Sequence, residues 1–194
     1  MPPSPNDTRA SGHPSSASSG GQPTEHVPSF TESELAGIRD YWTVYERHYE
    51  EIRAIFLADL AEDEEVGEFI RKTPREILDA QGLASLRLTR RAILEGTWRP
   101  YMAHLRAQGT TYANLGFNFE AWFRVTSAFR SHVVRHLLEA YAADPGRLAR
   151  AVDGMDHMLD LELSAIGSAY LAAKEEVIAR QREALGQLRA VLRI

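Results

Sequence analysis

Seven histidines and no cysteine limit the chemistry open to this 194-residue chain. Without cysteine there is no thiolate metal ligand, no cysteine nucleophile and no disulfide, and nothing argues for export to an oxidising compartment. His132 and His136 stand four apart, one helical turn, which suits two metal ligands. The run HVVRH has Val133 where a hydrolytic zinc motif has its glutamate, and no third ligand can be read nearby. Both are therefore read as helix residues, and no metal is expected. His13 and His26 lie in a stretch of Ser, Pro and Gly unsuited to a fixed site. His48, among Tyr45, Arg47 and Tyr49, and His157, between Asp156 and Met158, read as packed or half-buried side chains. His104 and Tyr112 flank Gly109, in a stretch that runs through AQGTTYANLGFNFEAWFRV.

Other catalytic patterns are missing. There is no nucleophile elbow, phosphate-binding glycine loop, dinucleotide fingerprint or paired-carboxylate arrangement, so the expected role is non-catalytic. The acidic cluster Glu62 to Glu65 reads as a solvated junction or a first helical turn, where carboxylates complement the helix dipole. Net charge is −5 with both signs interspersed, which lacks the basic footprint of a nucleic-acid binder. The start of the chain has neither the basic patch nor the apolar core of a signal peptide, and no window approaches a membrane span of roughly 18 apolar residues. A cytoplasmic protein without membrane or nucleic-acid partners is expected.

The elements that would position these residues are all helices. Residues 1–28 are too polar to order and read as a flexible tail. TESE at Thr31 is a capping box that opens a helix. Leu35, Ile38, Trp42, Tyr45, Tyr49, Ile52, Ile55 and Phe56 then recur at steps of three and four along one face. KTPREILDAQG reads as a short helix closed at Gly82, and a further helix breaks between Gly96 and Pro100 and resumes at Tyr101. Gly109 and Gly116 bracket an expected turn. A helix from Phe119 to Tyr141 carries Trp122, Phe123, Phe129, Val133, Leu137 and Tyr141 as an apolar stripe. Asp144 caps, and Pro145 begins, a last helix of unusual length. In it Leu148, Val152, Met155, Leu159, Ile166 and Tyr170 face inward. Leu171, Ile178, Leu185 and Leu192 then recur every seven residues, with Leu188 between, although Lys174 and Gln181 occupy seam positions. This is the pattern of a parallel coiled-coil dimer stalk. No run alternates as a strand would.

The stretch from TRRAIL at Thr89 to Leu185, above all GTTYANLGFNFEAWF and DLELSAIGSAYLAAKEEVIARQ, resembles the N-terminal sensory domains of RsbR-type stressosome regulators and related sensor kinases. The likeness covers roughly residues 31 to 188, its first third as helical pattern only. These domains are similar to globin-coupled sensors, and the resemblance implies an all-α, globin-like bundle over residues 29–170. An exit helix over 171–194 would then carry a signal to an output domain or a partner in a signalling complex. It implies a homodimer joined through the last two helices, with Trp122, Phe129, Val133, Leu171, Ile178, Leu185, Leu188 and Leu192 as the joining residues. In haem-carrying relatives a proximal histidine stands where this chain has Tyr112, to within a residue. A phenol must lose a proton with an ordinary pKa of about 10 to ligate iron, and it then needs a cation beside it. Tyr112 is therefore expected to fill the core, with no cofactor. The alternative is a haem-binding gas sensor for oxygen or another diatomic, ligated through Tyr112 or His104. In the resembled proteins the exit helix leads to a separate output domain, whereas this sequence stops at Ile194 within or just after it. The expectation is a fragment or a stand-alone sensor whose output lies elsewhere.

Overall fold

The structure, a computed structural model, describes residues 27–192. The expected tail thus lies outside the described residues except for its last two positions, and so do the side chains of residues 191 and 192, including that of Leu192. The described residues form an all-α bundle: α1 (Glu32–Arg47), α2 (Tyr49–Glu62), α3 (Gly67–Lys72), α4 (Arg75–Glu95), α5 (Trp98–Leu115), α6 (Phe119–Ala140) and the long α7 (Pro145–Leu192). No helix among them is long and apolar enough to cross a membrane.

Local chemistry sets most of the boundaries. The Thr31 amide donates to the Glu34 carboxylate at 2.6 Å, and the Glu34 amide returns a bond to the Thr31 hydroxyl, so the capping box forms as read. Gly96 and Gly116 end α4 and α5 at φ 69° and 81°, left-handed values that glycine reaches without a Cβ penalty. Asn118 caps α6 by accepting from the Glu120 amide. Asp144 accepts from the Arg147 amide at 3.0 Å, ahead of Pro145 at the first helical position of α7. The acidic junction is also partly structural. Asp63 accepts from the amides of Glu65 and Val66 and meets the Arg124 guanidinium at 3.2 Å, which ties the end of α2 to α6.

Several boundaries differ from the sequence reading, beginning with α5, which resumes at Trp98, with Pro100 in its first turn, and not at Tyr101. The apolar stripe from Leu35 to Phe56 belongs to two helices, because the chain turns at His48 (φ −104°, ψ 14°). Gly82 lies inside α4 instead of ending a short helix. An interior glycine costs a helix only about 1 kcal/mol, and the space it leaves is filled by the Tyr49 hydroxyl and the Arg53 guanidinium. Gly109 likewise lies within α5, so Tyr112 stands on a helix and the turn comes only at Gly116.

The core gathers around α7, which packs against α1, α5 and α6. Met155, Met158 and Ile166 of α7 are fully enclosed with Ile38 and Trp42 of α1 and Tyr101 of α5. Each such side chain contributes about 1.5–3 kcal/mol on leaving water. The helices approach at glycines. A Cβ on Gly154 would overlap the backbone of Gly37 and Ile38, and one on Gly109 would overlap the Ile166 carbonyl. These crossings exist only because no side chain intervenes.

The expected joining stripe of α6 requires correction. Val133 is fully enclosed inside the chain's own core, and Trp122 and Phe129 are packed against core clusters. Val133 therefore has no surface to offer a second copy, whereas Trp122 and Phe129 are only partly buried and keep part of theirs. Phe123 and Leu138 are the large apolar α6 side chains left exposed among the described residues. Beyond Tyr170, α7 leaves the bundle, and Leu171, Ile178, Leu185 and Leu188 are each roughly half exposed.

Gly154→Ala should lower stability by about 1–3 kcal/mol in urea unfolding followed by circular dichroism, because the added methyl forces α1 and α7 apart. Gly186, which has open space around it, gives the opposite result: Gly186→Ala should stabilise by up to about 1 kcal/mol. A Gly154→Ala protein as stable as the wild type would show that the crossing is not held at this contact.

Candidate functional site

The inward stripe of α7 runs Met155, Met158, Leu159, Glu162 and Ile166, the three-and-four spacing of a buried helix face. One of these residues is an acid. The Glu162 carboxylate accepts a hydrogen bond from the Tyr101 hydroxyl of α5. Burial pushes Glu162 up to about 7, against the opposing pull of the Tyr101 hydrogen bond. The residue as a whole is only half-buried, but its carboxyl group lies among phenols, and the carboxyl's own surroundings set its acidity. Tyr41, Tyr45, Tyr101 and Tyr112 are each pushed up, first by burial and then by neighbours that include the Glu162 charge. A neutral acid and four neutral phenols thus share the centre of the bundle at mildly acidic pH.

Two cavities adjoin this cluster. The larger, about 270 Å³, is lined by Tyr41, Tyr45, Tyr49, Phe129, Arg53 and Glu162, among others. The smaller, about 170 Å³, is almost wholly apolar, with Phe69, Tyr112, Phe117 and Tyr170 in its wall. Phe56, Trp122 and Val125 line both, so α2 and α6 supply the partition between them. Trp122 Nε1 is buried there without a hydrogen-bond acceptor. Buried donors are nearly always bonded, so an acceptor group of a bound molecule would find a partner in Trp122. Arg53 supplies the one cation of the larger wall, and it is paired to Asp79 at 2.6 Å.

The structure separates the residues offered for chemistry. Tyr112 packs its ring on Trp122 at a centroid distance of 5.0 Å and on Phe117 at 6.0 Å. Burial and the Glu162 charge push its phenol up to about 12. Arg124, one of the cations near it in sequence, is committed to Asp63 and Glu65. His104 lines neither cavity; burial pushes its imidazole down, and its Nε2 is enclosed without a partner. A phenol held protonated and a histidine away from the cavity walls do not fit an axial haem ligand. His132 takes Asp59 of α2 as its partner at 2.7 Å, whereas His136 stacks on His48. The two do not converge. His157 lies 3.7 Å from Glu34 across the α1–α7 crossing.

Glu162 is the residue the sequence reading passed over. Its signal was an acidic residue at an inward position of an otherwise apolar stripe, visible in DLELSAIG once that stripe is phased. A comparison with known protein-family models and with curated proteins finds no match for this sequence.

Because its folded-state pKa is raised above the ordinary value of 4.5 to about 7, Glu162 keeps its proton in the folded chain between those limits and loses it in the unfolded chain. Its contribution therefore falls as pH rises through that window. Wild-type stability should drop by at most a few kcal/mol between about pH 5 and about pH 8, and Glu162→Gln should remove most of that slope in urea titrations at several pH values. An equally steep slope in Glu162→Gln would place the titrating group elsewhere.

Proposed function

We infer that this chain is a non-catalytic sensory or regulatory domain. It dimerises and passes a signal along its C-terminal helix to an output domain or a partner in a signalling complex, as in stress-response or two-component-type signalling. The observation that carries this reading is the continuity of α7. One helix of 48 residues, roughly 70 Å at 1.5 Å per residue, is the spine of the core at one end and an apolar seam in solvent at the other. A change of packing around Met155, Met158 or Glu162 reaches the seam without crossing a loop.

The seam residues Leu171, Ile178, Leu185 and Leu188 recur as a heptad and are exposed in the single chain. That is the surface a parallel two-stranded coiled coil buries. Phe123 and Leu138 on α6 are further exposed apolar residues that a second copy could cover. The globin-like resemblance to the stressosome sensors supports the same assignment. The walls of the two cavities come from all seven helices, including α1, α5 and α6, so a bound molecule would act on the helices that hold α7. For a two-state switch it must favour one arrangement over the other by a few kcal/mol. The surroundings of Tyr112 and His104 give the haem alternative no support.

Leu185→Ala combined with Leu188→Ala should weaken the dimer at least tenfold in analytical ultracentrifugation, because each truncation removes about 1.5–3 kcal/mol of apolar burial per chain. Unchanged dimerisation, or a wild type that sediments as a monomer at all concentrations, would remove the stalk from the account.

A further inference from the structure

We propose that His48, Glu51 and His136 form a binding site for a divalent transition metal of the zinc type, which clamps the joint between α1 and α2 to α6. A ring nitrogen of each histidine and a carboxylate oxygen of Glu51 lie within 4.8 Å of one another. The His48 Nδ1 is 3.5 Å from Glu51, and the two imidazoles stack with centroids 4.5 Å apart and planes 23° from parallel.

The fold brings these residues together because the chain turns at His48. Its backbone ends α1 by donating to the Val44 carbonyl and starts α2 by accepting from the Ile52 amide. That turn directs the ring toward α6, while Glu51 follows in the first turn of α2. His136 faces them from the core side, 8% exposed, and its Nδ1 is enclosed with no hydrogen-bond partner. Buried imidazole nitrogens are ordinarily bonded, so an unpaired one on a ring that stacks on a second histidine and shares a cluster with a carboxylate points to an electrophile as the missing partner.

Two imidazoles and one carboxylate are a donor set that suits zinc, with a fourth position left for water. Bonds of about 2.0–2.1 Å in a tetrahedral shell place donor atoms about 3.3 Å apart. The shell must therefore contract from the present spacing, and one ring must rotate out of the stack. His136 is fixed by the core. Glu51 is exposed and the His48 side chain is one-third exposed, so these two have the freedom to close on the ion. A metal held there would fix α2 against α6, the helices that form the partition between the two cavities. The site does not depend on the sensory reading and would exist in a protein of any role.

The test is isothermal titration of the full chain with Zn2+, in a background of His13→Ala and His26→Ala so that the N-terminal histidines contribute nothing. One Zn2+ per chain is expected. His48→Ala and Glu51→Gln should each weaken binding at least tenfold, and His136→Ala should abolish it. His132→Ala, whose ring is paired with Asp59, should bind as the parent does. Should the buried His136→Ala variant fail to fold by circular dichroism, the two outer variants decide the matter. Absence of saturable binding in the parent, or parental affinity in both His48→Ala and Glu51→Gln, would overturn the proposal.

Discussion

The contact on which the rest of this molecule depends is the meeting of bare backbones where α7 crosses α1 and α5. Gly37 lies against Gly154, and Gly109 against the carbonyl of Ile166. At these points helix surfaces approach more closely than any side chain would permit, so α7 is gripped along its inner half. Met155, Met158 and Ile166 are consequently sealed from water, and Glu162 is carried with them into a place where a carboxylate is not well solvated. The acid, its tyrosine neighbours and the two cavities all follow from the closeness of those crossings.

Much of the scaffold could be read from the sequence because it is written in local chemistry. The Thr31 capping box, the break at Gly96, the stop at Gly116 and the Asp144-Pro145 start each depend on residues within a few positions of one another. Glycines read purely as punctuation misled where a tertiary contact explained them better: Gly82 and Gly109 are interior because Tyr49, Arg53 and Ile166 occupy the space a side chain would take. Periodicity also could not tell which apolar residues face the chain's own core and which remain outside. Trp122, Phe129 and Val133 satisfy the same pattern as Leu171 and Ile178, yet only the latter pair remains exposed.

The candidate site was less legible for a related reason. Tyr112 lays its ring on Trp122 and Phe117, aromatic residues close to it in the sequence. Glu162 shows in sequence only as an acid inside an apolar stripe, and its Tyr101 partner lies on another helix; His48 and Glu51 are close in sequence, but the fold alone brings His136 to them. The spacing of His132 and His136 suggested that they belong together, but on a curved bundle surface each found its partner on a different part of the α1–α2 arm. Short-range spacing predicts which residues share a face, not what that face meets.

On the proposed reading, α7 converts a change of charge or packing at Glu162 into a change at the seam. The natural absence of cysteine makes this directly measurable with a single spin label at Arg182→Cys, on the exposed part of α7. Pulsed electron resonance on the dimer should give one narrow distance between the two copies. That distance should shift between about pH 5 and about pH 8, the window bracketing the Glu162 transition, and it should stay fixed when Glu162→Gln is added. No dipolar signal between copies, or a distance that ignores both pH and Glu162→Gln, would contradict the claim that the spine of the core is also its transmitter.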